Sequence, residues 1–393
     1  MDTVRLGLIG CGSMGSHHAK YFSEVEGLTF AAICDSKPEA AESAARGYEG
    51  CKKFDTPEAL ITSGEVDAVL IATPHYDHPV YAQLAFEHGV HVLVEKPVAV
   101  TAKAAAETNA AYEAALAKHP KLVYAAMFNQ RTRPQWKQIK KMLDAGMVGE
   151  LIRVEWVITT WFRSQTYYNS GGWRATWKGE GGGVLINQCP HNLDLFQWFV
   201  GMPNRLWTIA GIGKHHDIEV EDDITTMMTF ANGATGTFIT STGQTPGVNR
   251  LTILGTKGMI EAPERGDILF SEAAEDTREF TMNSPERFGN VAITQHKISV
   301  PDQPTPEHQS VTTNFVNYLL GKDETLLAPA VEGIHGLELG NAMLYSGLSG
   351  SAPVDLPMDR DAFAAKIDEL IASSTFEKKN VAESATASMG SSF

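Results

Sequence analysis

The hexamer Gly10-Cys11-Gly12-Ser13-Met14-Gly15 fits the pattern G-x-G-x-x-G. In a chain with 35 glycines such a hexamer arises by chance, so its setting decides its meaning. It follows an apolar run at residues 4–9 and opens a helical stretch at 14–23, and Asp35 closes the next apolar run. Strand, glycine turn, helix and a distal acidic residue together make a dinucleotide-binding arrangement. Gly10 permits the tight turn, Gly12 lets backbone approach a pyrophosphate, and Gly15 lets the helix pack closely on the strand. The phosphates then meet Ser13 and Met14, where unpaired N–H groups and the helix dipole favour an anion. Asp35 can accept from both ribose hydroxyls and repels a 2′-phosphate, which favours NAD over NADP. Ser36 and Lys37 beside it weaken that preference.

Ligands of open parallel sheets bind beyond the carboxyl ends of the strands. Three polar clusters stand at such ends. Thr73-Pro74-His75, with His78 just beyond, follows the fourth apolar run; Glu95-Lys96-Pro97 follows the fifth, and Asn129-Gln130-Arg131 the sixth. Thr73, Pro74, His75, His78, Glu95, Lys96 and Asn129 are expected at the cofactor, and Arg131 at the substrate. Lys96 directly follows Val92-Leu93-Val94, so its ammonium can hydrogen-bond a reacting hydroxyl and stabilise developing alkoxide charge. Pro97 suits a cis peptide that fixes its direction. The second constellation runs from Gly181-Gly182-Gly183 through Asn187 to Pro190-His191 and Asp194. Pro190 favours a helix start, which puts His191 in the first turn, where the dipole disfavours imidazolium and leaves a neutral general base. Asn187 lies one turn earlier. Lys96, His191 and Asn187 form the expected catalytic set; the plainer readings are a surface lysine and a structural histidine.

The segment Trp161-Phe162-Arg163, with Tyr167, Tyr168, Trp173, Arg174 and Trp177, is unusually aromatic. Flat rings stack on the apolar faces of pyranoses, and arginine binds hydroxyls or a carboxylate. Arg163, Tyr168, Trp173 and Arg174 therefore join Lys96, Arg131, Asn187 and His191 as expected substrate contacts, with core or subunit packing as the alternative. His215-His216-Asp217 lacks the spacing of a metal site, and none is expected. His17-His18 reads as packing or solvent-exposed, Glu219 to Asp223 as a solvated strand entry, and Asp194 as structural.

The elements that must position these residues follow two grammars. Up to about residue 128, short β-branched runs alternate with alanine-rich helical patterns, which predicts a doubly wound parallel sheet covered on both faces. From 129 to 375 a helix at 134–145 leads into longer runs that alternate apolar with Thr, Ser or Arg. These predict an open, mostly antiparallel sheet, interrupted by helices at 191–199 and 331–346. Residues 376–393 read as a flexible tail. At 393 residues and 43% hydrophobic the chain can fill two cores, and a formal net charge of −15 opposes nucleic acid and anionic membranes as partners. Four cysteines without a C-x-x-C pair, no secretory signal and no apolar span read as a cytoplasmic protein.

Taken together, the glycine hexamer, Thr73-Pro74, Glu95-Lys96-Pro97 and the run from Gly181 to Asp194 resemble the Gfo/Idh/MocA family of glucose–fructose oxidoreductase, inositol dehydrogenase and relatives. The resemblance covers everything but the tail. It implies a Rossmann domain followed by an α/β domain whose open sheet forms subunit contacts, hence a homodimer or homotetramer. It also implies a catalytic lysine at Lys96 and a catalytic histidine at His191. The family aspartate four residues before that histidine is Asn187 here, and an amide cannot accept a proton. The implied activity is NAD-dependent oxidation of a sugar, glycoside or cyclitol carbinol; the aromatic segment adds C3 of a hexopyranoside as the position to consider. Two alternatives share the fold: an NAD-dependent glycosidase acting by transient oxidation, and a non-catalytic NAD- and sugar-binding regulator.

Overall fold

Residues 2–378 are described in the computed structural model; of the tail expected at 376–393, residues 379–393 lie outside them. Strands β1 (Val4–Ile9), β2 (Leu28–Cys34), β3 (Lys52–Phe54), β4 (Ala68–Ile71), β5 (His91–Val94) and β6 (Tyr124–Ala126) lie in the order β3-β2-β1-β4-β5-β6. Every pairing is parallel. Their near-continuous apolar sequences follow from burial on both faces. In β4, Val69 and Ile71 join one core with Phe86 and Val92, while Ala68 and Leu70 join another with Phe22 and Leu93. Strand order reverses between β1 and β4, so the loops leaving those strands diverge and open a crevice.

The second sheet has nine strands: β7 (Leu151–Ile158), β8 (Arg205–Ile212), β9 (Glu221–Thr229), β10 (Thr235–Ser241), β11 (Asn249–Gly255), β12 (Gly258–Pro263), β13 (Ile268–Ala273), β14 (Ile293–Ile298) and β15 (Val354–Asp355). The order is β14-β13-β12-β11-β7-β10-β9-β8-β15. β7 and β10 pair in parallel and every other neighbour is antiparallel. One face packs on helices Pro134–Asp144, Pro190–Val200 and Gly333–Leu348, whose Trp136, Phe196 and Leu339 are at most 1% exposed. The other face is open and partly apolar: Trp207 pairs with Met227 across β8 and β9, and Ile209 is 69% exposed.

The antiparallel expectation holds, but β12 to β14 and the helices Glu307–Leu319 and Arg360–Ser373 were not foreseen. β14 shows why. Its sequence, Ile-Thr-Gln-His-Lys-Ile, lies exposed at a sheet edge and has no buried face to impose a period of two. The acidic run is a correction: Glu221 and Asp222 are fully buried at the start of β9. One Glu221 oxygen accepts from the N–H groups of Gly183 and Leu185, and Asp222 accepts from those of Lys214 and His215. Unpaired loop amides recruited these carboxylates inward.

The chain also returns. Helix Glu307–Leu319 inserts Val311, Phe315 and Val316 into the core of the first domain, and the amide of Ala126 donates to Ala328. Arg131, expected at the substrate, is a second correction. Its Nε and Nη2 reach the two oxygens of Asp194 at 2.7 Å each, and its Nη1 meets Glu332 at 2.6 Å. A guanidinium so committed fastens β6 to helix Pro190–Val200. Removing one partner strands a buried charge, so Asp194→Asn is expected to destabilise the fold by about 3 kcal/mol or more, read as a lowered denaturation midpoint.

Candidate active site

The glycine turn is built for close approach. Gly10 has φ +92°, and a Cβ on Gly15 would lie 1.9 Å from the carbonyl oxygen of Gly10. At Gly12 nothing stands within 4 Å of where a Cβ would be, and the following helix, Ser13–Ala19, has no side-chain cap on its first amides. Backbone donors, open space and a tight turn coincide. Asp35 closes the arrangement: one carboxylate oxygen accepts from the amide of Cys11 at 2.6 Å, the other from that of Lys37 at 2.8 Å. Each oxygen keeps a further lone pair for a ribose hydroxyl. Exposed Ser13 and Ser36 and half-buried Met14 stand around this rim. The residues fit a dinucleotide.

At the neighbouring tips, half-buried Thr73 has a hydroxyl without a protein partner, and Pro74 is exposed. His78 is a correction. It is buried, and its ring nitrogens lie on the carbonyls of Pro97 and Thr73, so it ties the β4 and β5 loops together instead of reaching a ligand. His75 is also buried, but faces the second domain: its Nδ1 lies 3.2 Å from the carbonyl of Glu180 and its ring is edge-on to Trp173. Asn129 donates to Glu307 and leaves its buried Oδ1 unpaired.

The Lys96–Pro97 peptide is cis. Glu95 points beneath, where Oε1 meets His18 Nε2 at 2.6 Å and Oε2 accepts from the amide of Lys96. Burial pushes this carboxyl up, but the hydrogen bond and charge of His18, with His308 and Lys96, outweigh it and hold it at about 2. Lys96 Nζ donates to the carbonyl of Asn187 at 3.0 Å. Burial lowers the ammonium below its ordinary range, against the pull of Glu95 and Glu180.

The lysine therefore ends on the second domain, one turn before His191. Glycines make that contact possible: a Cβ on Gly183 would lie 1.9 Å from the carbonyl of Glu221, and one on Gly181 would lie 2.3 Å from Val100. His191 is 6% exposed in the first turn of helix Pro190–Val200, and its Nδ1 has no partner. Burial, then the charge of nearby Lys96, then His308 hold its basicity well below the ordinary range. A neutral imidazole with an unused buried nitrogen beside an ammonium can exchange a proton with a hydroxyl set between them.

The aromatic wall is a ladder of alternating charge and ring. Arg163 lies over Trp161 and Tyr167, and Arg174 lies over Tyr167 and Trp173 at 4.4 and 4.7 Å. Tyr168 is a further correction: it is 2% exposed, its hydroxyl is on Thr242, and burial pushes its ionisation far up. Its neighbour Tyr167 faces the site, accepting from Arg174 at 2.6 Å and from Gln188 at 3.1 Å. A five-residue helix, Gln165–Asn169, gives too little periodicity to tell two adjacent tyrosines apart. Glu180 was not foreseen in the site, its place directly before the glycine run being its one signal; His18 is packed and buried, one of the two readings given for it, and meets Glu95. No group of three or more potential metal ligands occurs among the described residues.

Residues 4–126 match the family described as "Oxidoreductase family, NAD-binding Rossmann fold", and residues 136–261 match the GFO/IDH/MocA C-terminal domain. The levoglucosan dehydrogenase of Pseudarthrobacter phenanthrenivorans is 28% identical over 318 residues, spanning 71% of this chain and 80% of that protein. The D-glucoside 3-dehydrogenase of Escherichia coli is 29% identical over 203 residues, 51% of this chain and 55% of that one. The WlbA dehydrogenase from Bordetella pertussis, solved with NADH and UDP-GlcNAcA, superimposes with a TM-score of 0.72 at 24% identity, covering 91% of this chain and all of that one. The fold and the glycine-loop crevice define an NAD-dependent oxidoreductase. The chain belongs to the Gfo/Idh/MocA family. Asp35→Ala is expected to weaken NADH binding about tenfold and to narrow the preference over NADPH, as measured by fluorescence titration with each. Unchanged discrimination would remove Asp35 from the ribose.

Proposed function

We propose that this protein oxidises a secondary hydroxyl of a sugar, glycoside or cyclitol, with C3 of a hexopyranoside the first position to test. The observation that carries the reading is the buried, unpartnered Nδ1 of His191 beside the Lys96 ammonium. NAD, held on the Gly10–Gly15 turn, supplies the acceptor for the carbinol hydrogen. Lys96 donates a hydrogen bond to the reacting oxygen and stabilises its growing negative charge. His191 accepts the hydroxyl proton at Nδ1, and the same two groups serve the reverse reduction. The Arg163–Tyr167–Arg174–Trp173 ladder offers ring faces and donors to a pyranose, and the levoglucosan and glucoside dehydrogenases named above act on such rings. A glycosidase reaction would need a further acid or base at the ring, and the buried Tyr168 hydroxyl, held on Thr242, does not supply one. A regulator would have no use for a buried ammonium and a neutral imidazole held together.

We further propose that the open sheet face carrying Trp207, Ile209 and Met227 joins subunits into a homodimer or homotetramer, since a monomer would leave these side chains in water. Sedimentation velocity of Ile209→Lys should then show a smaller species.

Lys96→Met is expected to lower kcat about a hundredfold or more while NADH binding persists, in steady-state assays over a pyranoside and inositol panel. The pH profile follows from the directions of the two shifts. Oxidation needs neutral His191, so the rate falls as pH drops through a value below 6.5; it needs charged Lys96, so the rate falls again as pH rises through a value below 10.5. In His191→Asn the acidic limb should vanish. Silence of the wild-type enzyme across the panel would sink the substrate class.

A further inference from the structure

Position 187 carries an amide where the resemblance led us to expect an aspartate, and the site around it has too many cations for that to be the end of the matter. Lys96, Arg163 and Arg174 converge here, and Glu95 is turned beneath toward His18. One further carboxylate is present. Glu180 is 1% exposed, and its Oε1 accepts from the side-chain amide of Asn187. Its Oε2 accepts from the amide of Ala175 at 2.5 Å, and Arg174 stands 4.0 Å away. Because Nδ2 of Asn187 is drawn to Glu180, its Oδ1 must face the other way, toward the hydroxyl of Tyr167 and the amide of Gln188. The carbonyl of the same residue holds Lys96.

We infer that Glu180 supplies, one layer deeper, the carboxylate absent from position 187, and acts as a positioning residue that fixes the Asn187 turn and balances the charge of Lys96. This rests on the role given to Lys96 above. The arrangement keeps the negative charge off the substrate while leaving an uncharged amide at the crevice. A carboxylate at 187 would instead stand among the site's ligand-facing groups.

The alkaline limb of the rate is the place to read it. Facing Lys96 are Glu95, Glu180, Arg163, Arg174, His75, His191, His308 and Cys189. Around Glu180 lie Arg174, Lys96, Tyr168, Glu221 and Lys378. The three histidines are held neutral, Glu95 is ionised, and Glu221, which burial pushes up to about 7, is itself ionising near neutral pH. The thiol of Cys189, which burial pushes up to about 12, has not begun.

Glu180→Gln removes a charge that favours the ammonium, so the alkaline limb of kcat at saturating NAD should move down by about one pH unit, and Glu180→Asp should recover part of that shift. NADH binding, which belongs to the other domain, should be unchanged and reports folding. Asn187→Asp gives the complementary reading. Two adjacent carboxylates share one proton, so with Glu180 already serving, the limb stays close to wild type. A limb that rises by about a unit in Asn187→Asp, or stays put in Glu180→Gln with only the amplitude or the melting temperature lowered, would overturn the inference. Should Glu180→Gln not fold, Asn187→Asp decides alone. Full turnover in Lys96→Met is a different result: it would remove the parent reading and not the role of Glu180 in particular.

Discussion

The hydrogen bond from Lys96 Nζ to the carbonyl of Asn187 reaches from one domain to the other at the place where chemistry is proposed, and it imposes a constraint on everything near it. An ammonium taken out of water tends to lose its proton unless negative groups and acceptors replace the lost hydration. Here the replacement comes from both sides. Glu95 sits under the lysine on the Rossmann strand, kept ionised by His18, while Asn187 and Glu180 meet it from the second domain. The foundation is deep. His18 leans on Tyr21, and Tyr21 on Thr312, so a helix from late in the chain supports a residue pair at its beginning.

The second requirement is approach. Backbone must come within hydrogen-bond reach across a domain boundary, and side chains would prevent it. Gly181 removes the atom that would collide with Val100 across that boundary, Gly183 lets its own domain close on Glu221, and the two oxygens of Arg131's partner Asp194 then lock the helix carrying His191 against β6. The proposed catalytic pair, Lys96 and His191, is thus set by packing on helix and strand ends, whereas the arginines and aromatics of the ladder are borne on loops.

What could be read from residue order follows from this division. The Rossmann half was legible because its strands are buried on both faces and its turn needs glycine for steric reasons that leave a fixed spacing. The positions of Lys96 and His191 in the fold were legible because each follows an element with a strong local signal, an apolar run and a helix-starting proline. Arg131 was misassigned because a strand-end arginine aimed at a ligand and one paired with Asp194 have the same local sequence; the pairing spans 63 positions. His78 and Tyr168 went wrong likewise, as burial is decided by distant partners. The acidic run beginning at Glu219 looked solvated because charge density suggests water, yet two of its carboxylates cap loop amides inside the fold.

The return of residues 307–330 to the first domain has a consequence for how the protein can be divided. Phe315 and Val316 fill the Rossmann core, Glu307 accepts from Asn129 and Arg133, and Ala328 accepts from the strand β6 amide. The nucleotide-binding half is therefore not a detachable module in sequence. A fragment ending near residue 128 would expose the seat of that helix and lose the support under His18, so the nascent chain cannot complete its first domain until most of its second has been made.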